Sequence, residues 1–201
     1  MGLFGGSFDP PHVGHMAVVQ AGLAMGLDEV WVIPALPVHR KLSGKTDGLT
    51  RFNWLQQLFE HEPRVKVLAW EISQSKPTPT VHSLRRFQAA YADCIPWLML
   101  GADAWNDLPS WREYPAHQGL CNMLVFARQG DEYDKPKAHV GWQKLGVEAW
   151  ASCGSAGHCC ELPVHLPDVS ATLIRQQAAL GLSLTGLVPK VLQSEIEKKY
   201  T

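Results

Sequence analysis

An excess of charge of either sign is missing from this chain. Against 18 lysines and arginines stand 19 aspartates and glutamates, a formal net charge of −1. No broad positive field is therefore offered to nucleic acid or to an acidic membrane surface. Long apolar runs are missing too: nothing approaches the roughly 20 residues that cross a bilayer. The first residues lack the basic stretch and apolar core of a secretory signal. Met1-Gly2 opens like a myristoylation site, but Gly6 stands where Ser or Thr is wanted. Cysteine is scarce and odd in number, five in 201 residues, which fits reduced thiols in a cytoplasm better than a disulfide framework. Repeats, low-complexity tracts and Pro/Ser linkers are absent as well, so residues 1–201 read as one domain long enough to bury its own core. Any phosphate bound by such a chain must be held locally, in a pocket.

What the chain does contain is strand and helix signals taking turns. Gly2 to Gly6 is a short apolar run ending in a glycine pair. Met16, Val19 and Leu23 recur at helical spacing, and Gly26 is a natural stop. Val30 to Ile33 reads as a buried strand closed by Pro34, Arg51 to Glu60 as a helix, and Val65 to Trp70 as a strand. Val81, Leu84, Phe87 and Tyr91 define another helix, followed by strands at Trp97–Gly101 and Leu124–Ala127 and a further one at Val164–Leu166. Ser170 caps a helix running to Leu180, and Pro189 opens a last one to about Lys199. The alternation predicts an α/β fold: a doubly wound, mostly parallel sheet with helices on both faces and helices at the C-terminus. Ligands of such sheets sit at the carboxyl ends of the strands, near the point where strand order reverses.

The first strand-to-helix turn reads Gly5-Gly6-Ser7-Phe8-Asp9-Pro10-Pro11-His12-Val13-Gly14-His15. Glycines there let the backbone bend tightly and approach a phosphate, and the helix start adds N–H groups and a positive dipole end. His12 and His15, three apart, share a face, with Gly14 leaving room between them. Two imidazoles so placed can donate to phosphate oxygens. On spacing alone, a Gly/Pro turn with two solvent-facing histidines reads equally well, and a metal pair would lack a third ligand at helical spacing. Near the other end, Ser170 and Thr172 bring hydroxyls to a helix start, with Arg175 placed to fold back toward a phosphate. A capping serine alone would explain the first of these.

Taken whole, the turn resembles the signature of the nucleotidylyltransferase superfamily, Gly-Gly-x-Phe-Asp-x-x-His-x-Gly-His, at every fixed position. Val169 to Arg175 is similar to that superfamily's Ser-x-Thr-x-x-Arg element. Segments between them resemble the bacterial nicotinate-nucleotide adenylyltransferases over nearly the whole chain: Ile33-Pro34 with Pro37-Val38-His39-Arg40-Lys41, Thr78 to Leu84, Gly101-Ala102-Asp103, Leu108 to Trp111, and Arg128 at a strand end. The resemblance implies a Rossmann-like fold and transfer of AMP from ATP to nicotinate mononucleotide, giving deamido-NAD and pyrophosphate with Mg²⁺, in NAD biosynthesis. It implies catalytic roles for His12, His15 and Arg175. ATP would be bound by Gly5, Gly6, Ser7, Phe8, Gly14, Asp103, Ser170 and Thr172, and the mononucleotide by His39, Arg40, Thr80 and Trp111. No protein metal ligands, nucleic acid or membrane are implied, the cell compartment is the cytoplasm, and a homo-oligomer stays open. Nicotinamide mononucleotide or another phosphorylated acceptor is the alternative substrate, and a non-catalytic nucleotide-binding domain the remote one.

Each of these residues also has a plain reading. With eight tryptophans in the chain, core packing explains any one of them; a Trp face toward a cationic pyridine ring is worth about 0.5–2 kcal/mol. Asp103 fits a ribose contact or a helix cap. His39 to Lys41 reach phosphate or stay solvated, and Arg112 pairs with a nicotinate carboxylate or stays at the surface. Pro79 stands where the family has Tyr, so one backbone N–H is missing. Ser43-Gly44-Lys45-Thr46 imitates the end of a P-loop, but the required first glycine falls at His39. Cys153, His158, Cys159 and Cys160 gather in a Gly/Ser-rich stretch without the paired spacing of a zinc site, leaving a zinc or redox role against a variable insertion.

Overall fold

The computed structural model describes residues 1–36, 46–128, 136–150, 153–164 and 166–201. Seven strands form a single parallel sheet in the order β3-β2-β1-β4-β5-β7-β6. In chain order the elements are β1 (Gly2–Gly6), α1 (Val13–Ala24), β2 (Val30–Pro34), α2 (Gly48–Leu58), β3 (Val65–Val67), α3 (Thr80–Ala90) and β4 (Trp97–Gly101). Then come α4 (Ala102–Asp107), β5 (Asn122–Arg128), β6 (Gln143–Leu145), β7 (His158–Val164), α5 (Ala171–Ala179) and α6 (Gln193–Tyr200). Parallel strands need crossovers, and crossovers cover both faces, so the central strands are apolar at successive positions.

Alternation then divides the core. Phe4, Val32, Met99, Leu124, Phe126 and Cys160 face α1, where Val18, Val19 and Leu23 meet them. Leu3, Trp31, Ile33, Leu98, Leu100, Met123 and Cys159 face the other layer, with Leu84, Phe87 and Trp105. A third cluster, Trp54, Val169, Ile174, Ala178, Leu184, Val188, Leu192 and Ile196, ties the C-terminal helices to α2. This cluster seats the start of α5 against the first turn.

Helix ends follow local chemistry. Gly26 takes φ +104°, a left-handed conformation cheap only for glycine, just past α1. Asp47 caps α2 by accepting from the Thr50 N–H at 2.9 Å, so that helix starts three residues before Arg51. Ser170 caps α5 through Leu173 N–H at 3.2 Å.

Two expectations are corrected, and one strand is new. The last long strand is His158–Val164, its buried positions supplied by Cys159, Cys160 and Leu162; of the expected strand Val164–Leu166 it holds Val164, and His165 lies outside the described residues. The third strand stops at Val67, and Trp70 turns back to pack edge-on against Trp31. Strand β6 is a three-residue edge strand with two exposed positions and no apolar signature to read. No helix among the described residues is long and apolar enough to cross a membrane.

Candidate active site

The strand order reverses between β1 and β4, its parallel neighbour across the switch. A crevice opens at the carboxyl ends of such strands because their following helices leave toward opposite faces. Here an inner lobe of about 270 Å³ is bordered by Gly5, Gly6, Ile33, Gly101, Thr80 and Trp111. An outer lobe of about 480 Å³ continues it, sharing Ala35, Glu71, Thr80 and Trp111 and adding Thr78, Arg112 and His117.

The turn after β1 is built differently from the sequence expectation. Gly5 and Gly6 lie within the extended strand; the left-handed residue is Phe8, at φ +47°. What Gly5 contributes is a missing side chain, since a Cβ there would point into open space at the crevice. Phe8 is 1% exposed, its ring standing edge-on to Phe4 and to His15, so it braces the site and presents no side chain to a nucleotide. The carbonyl of Ser7 accepts from the buried Arg51 guanidinium, whose Nε also donates to Thr46 O at 3.2 Å. Asp9, nearly fully buried, accepts through Oδ1 from the Tyr200 hydroxyl at 2.6 Å and from Thr46 N–H at 3.3 Å. That carboxylate and burial together push the Tyr200 phenol up, burial being the larger cause.

His12 is the N-cap of α1 and His15 its third residue. Their rings stack with centroids 3.6 Å apart, and His15 Nδ1 accepts the His12 N–H at 3.2 Å. With Nδ1 used as an acceptor, the proton of a neutral His15 sits on Nε2. Burial, with the neighbouring His12 as a lesser cause, holds His15 well below the usual imidazole range, so this neutral tautomer persists near pH 7. Gly14 separates the two: a Cβ there would lie 3.1 Å from His12 Nδ1 and 3.2 Å from Val169 Cγ1. The first turn of α1 carries no acidic residue, so its positive end is not neutralised by a side chain of that turn.

Residues 166 positions apart meet here. Arg175 Nη1 donates to Asp9 O at 2.5 Å, and Nη2 to Thr172 Oγ1 at 3.1 Å. The Ser170 hydroxyl accepts from Leu173 N–H and keeps its own proton for donation. The Arg175–Asp9 bond and the close approach of Val169 to Gly14 thus set the start of α5 against the first turn, the two forming a cradle. The pyridine-side candidates Thr80 and Trp111 border both lobes of the crevice. Thr80 opens α3 behind Pro79, and Trp111 is half-buried at the end of a 3-10 turn, Leu108–Ser110. Asp103 is exposed in the first turn of α4, its carboxylate directly over Gly101. His39 and Arg40, like the Ser43-Gly44-Lys45 segment, lie outside the described residues.

Four participants carried no sequence signal: Arg51, Tyr200, Glu71 and His117. Glu71 is buried between the lobes, accepting from Ser83 Oγ at 2.7 Å, and burial raises its carboxyl above the usual range. The cysteine-rich stretch divides by strand alternation. Cys159 and Cys160 point to opposite sheet faces and cannot converge on one ion, and burial pushes the Cys159 thiol up to about 11. Cys153 and His158 pair at 3.1 Å at the amino end of β7, away from the crevice.

Comparison with known proteins gives a consistent picture. Residues 3–177 match the family model described as cytidylyltransferase-like. A probable nicotinate-nucleotide adenylyltransferase of Shouchella clausii is 29% identical over 202 residues, covering 99% of this chain and 94% of the relative. One from Campylobacter jejuni is 33% identical over 127 residues, 63% of this chain and 70% of the relative. In fold, the chain resembles the Plasmodium falciparum nicotinic acid mononucleotide adenylyltransferase solved in complex with NaAD. There the TM-score is 0.69 at 18% identity, covering 98% and 94% of the two chains.

Proposed function

The chain belongs to the cytidylyltransferase-like family, among the nicotinate-nucleotide adenylyltransferases, and from that premise we propose that it transfers AMP from ATP to nicotinate mononucleotide, forming deamido-NAD and pyrophosphate. One observation carries the assignment of the site: the His12–His15 turn and the Ser170–Arg175 helix start, far apart in sequence, are joined by the Arg175–Asp9 hydrogen bond beside a cleft bordered by Trp111.

The acceptor's 5′-phosphate, with a second pKa of about 6, is mostly ionised near pH 7. It attacks the α-phosphorus in line; the bond to the bridging oxygen breaks, and that oxygen leaves with pyrophosphate. No protein nucleophile or base is required, so catalysis is positioning and charge stabilisation. His15 Nε2–H and His12 donate to the ATP phosphates as negative charge shifts. Arg175, already oriented by Asp9 O and Thr172 Oγ1, faces the leaving pyrophosphate with Ser170 and Thr172. Gly5 and Gly6 let the phosphate chain lie against bare backbone, and Asp103 accepts from a ribose hydroxyl.

Mg²⁺ enters as part of the MgATP substrate. The turn's own carboxylate, Asp9, has Oδ1 committed to Tyr200 and Thr46, which suits a metal carried on phosphate oxygens rather than a protein cage. The pyridinium stacks on Trp111, and Thr80 hydrogen-bonds near it. His39 and Arg40 fall to the acceptor phosphate by the family resemblance. Residues 1–201 work as one catalytic unit, and the five unpaired thiols suit a cytoplasmic setting.

A second acceptor has one observation in its favour. Pro79 borders the outer lobe and lacks an N–H, removing a backbone donor that a carboxylate would use and bringing nicotinamide mononucleotide closer in affinity. Incubation with MgATP and each acceptor separately, with product identification by mass spectrometry, tests both. Deamido-NAD formed at the higher kcat/KM supports the assignment; ATP binding with no pyrophosphate released from any acceptor refutes it.

A further inference from the structure

His117 lies in the 3-10 turn Ala116–Gly119, six residues past Trp111. It is 1% exposed and stands edge-on to Trp111, with ring centroids 5.9 Å apart. Its ring lines the outer lobe together with Thr78, Thr80 and Arg112. Nδ1 is buried and has no hydrogen-bond partner among the described residues. An unsatisfied ring nitrogen costs stability, and a leucine of similar volume would fill the same space without that cost. With Nδ1 enclosed, Nε2 is the ring nitrogen left to meet a group bound in the lobe. Burial holds it below the usual range, against the raising effect of Glu113 and alongside the lowering effect of Arg85, so the ring is neutral, with one N–H and one lone pair.

Resting on the reading above that this cleft takes a pyridine mononucleotide, we propose that His117 is a specificity-determining residue whose imidazole Nε2–H donates to an oxygen of the substituent on the pyridine ring. The spacing suits this. A ring stacked about 3.5 Å above Trp111 would lie roughly 7 Å from the His117 ring centre, a gap bridged by one exocyclic carboxyl or carboxamide and one hydrogen bond of about 2.9 Å. Trp111 then supplies the face for the ring, and His117 the donor at its edge.

The test is steady-state kinetics of the full chain with MgATP and three acceptors: nicotinate mononucleotide, nicotinamide mononucleotide, and the pyridine mononucleotide bearing no substituent. His117→Leu raises KM for the better substituted acceptor about 10-fold or more, as loss of one hydrogen bond to a buried oxygen requires. KM for ATP and for the unsubstituted acceptor stays within about 2-fold, because the contact being removed is already absent there. Whichever of carboxylate and carboxamide loses more is the group the imidazole reads. An equal rise for all three acceptors assigns His117 a structural role and overturns the proposal, as does no rise at all. If His117→Leu does not fold, His117→Met, likewise without an N–H, carries the same comparison. Wild type that forms no dinucleotide refutes the proposed function and this inference together; active wild type with an indifferent variant refutes this inference alone.

Discussion

Adding one methyl group at Gly14 separates the cradle's chemistry from the fold's stability. Gly14 is the second residue of α1, and a Cβ there would lie 3.1 Å from His12 and 3.2 Å from Val169. Ordinary contact begins near 3.4 Å, so both neighbours must give by a few tenths of an ångström. His12 belongs to the cap of α1 and Val169 to the segment before α5, so relief of the contacts shifts the His12 ring or moves the two halves of the cradle apart. Overpacking of this kind costs about 1–3 kcal/mol, whereas alanine in a helix gains about 1 kcal/mol over glycine. The net loss for Gly14→Ala is therefore about 0–2 kcal/mol, a fall in Tm of no more than about 8 °C in a chain of this size. Activity suffers far more. Misplacement by about 1 Å costs about 100-fold, so a displacement of a third of that at His12 lowers kcat by about 5-fold, and more if Arg175 shifts with Val169. The assay is initial-rate pyrophosphate release with saturating MgATP and nicotinate mononucleotide, beside a thermal melt of the same sample. A folded Gly14→Ala enzyme with unchanged kcat would show that the spacing of the two halves does not matter to the chemistry.

Other expectations rest on single contacts. His15→Ala lowers kcat by about 100-fold or more by removing the Nε2–H donor, while the fold survives the loss of one 3.2 Å capping bond; circular dichroism with kcat checks both. Tyr200→Phe strips a 2.6 Å hydrogen bond from the buried Asp9 and destabilises by about 1.5–3 kcal/mol, read from the urea midpoint. For pH, His15 and His117 are held below the imidazole range in the folded chain, so the unfolded chain takes up their protons first. Their contribution to stability is complete above about pH 6.5 and is lost as pH falls below it toward the lowered folded values. Urea unfolding across pH 5–8 that grew easier with rising pH, in a Glu71→Gln background where the buried carboxyl no longer contributes, would contradict this.

Local sequence determined the alternation of strands and helices, the cap at Ser170, the stop at Gly26 and the chemistry of the first turn. Each depends on residues within one or two helical turns of each other, where spacing is contact. The glycine pair shows the limit of that reasoning: Gly5 and Gly6 keep an extended backbone, and the sharp conformation falls on Phe8, wedged between Phe4 and His15. Only the tertiary structure decided that Tyr200 holds Asp9 across 191 positions, that Arg51 holds the Ser7 carbonyl across 44, and that His117 borders the same cleft as Thr80. A buried polar group chooses its partner by where the layers pack, and no periodicity in the chain records that choice. The same cause hid β6, whose place at the sheet edge comes from pairing with β7 rather than from any apolar pattern of its own.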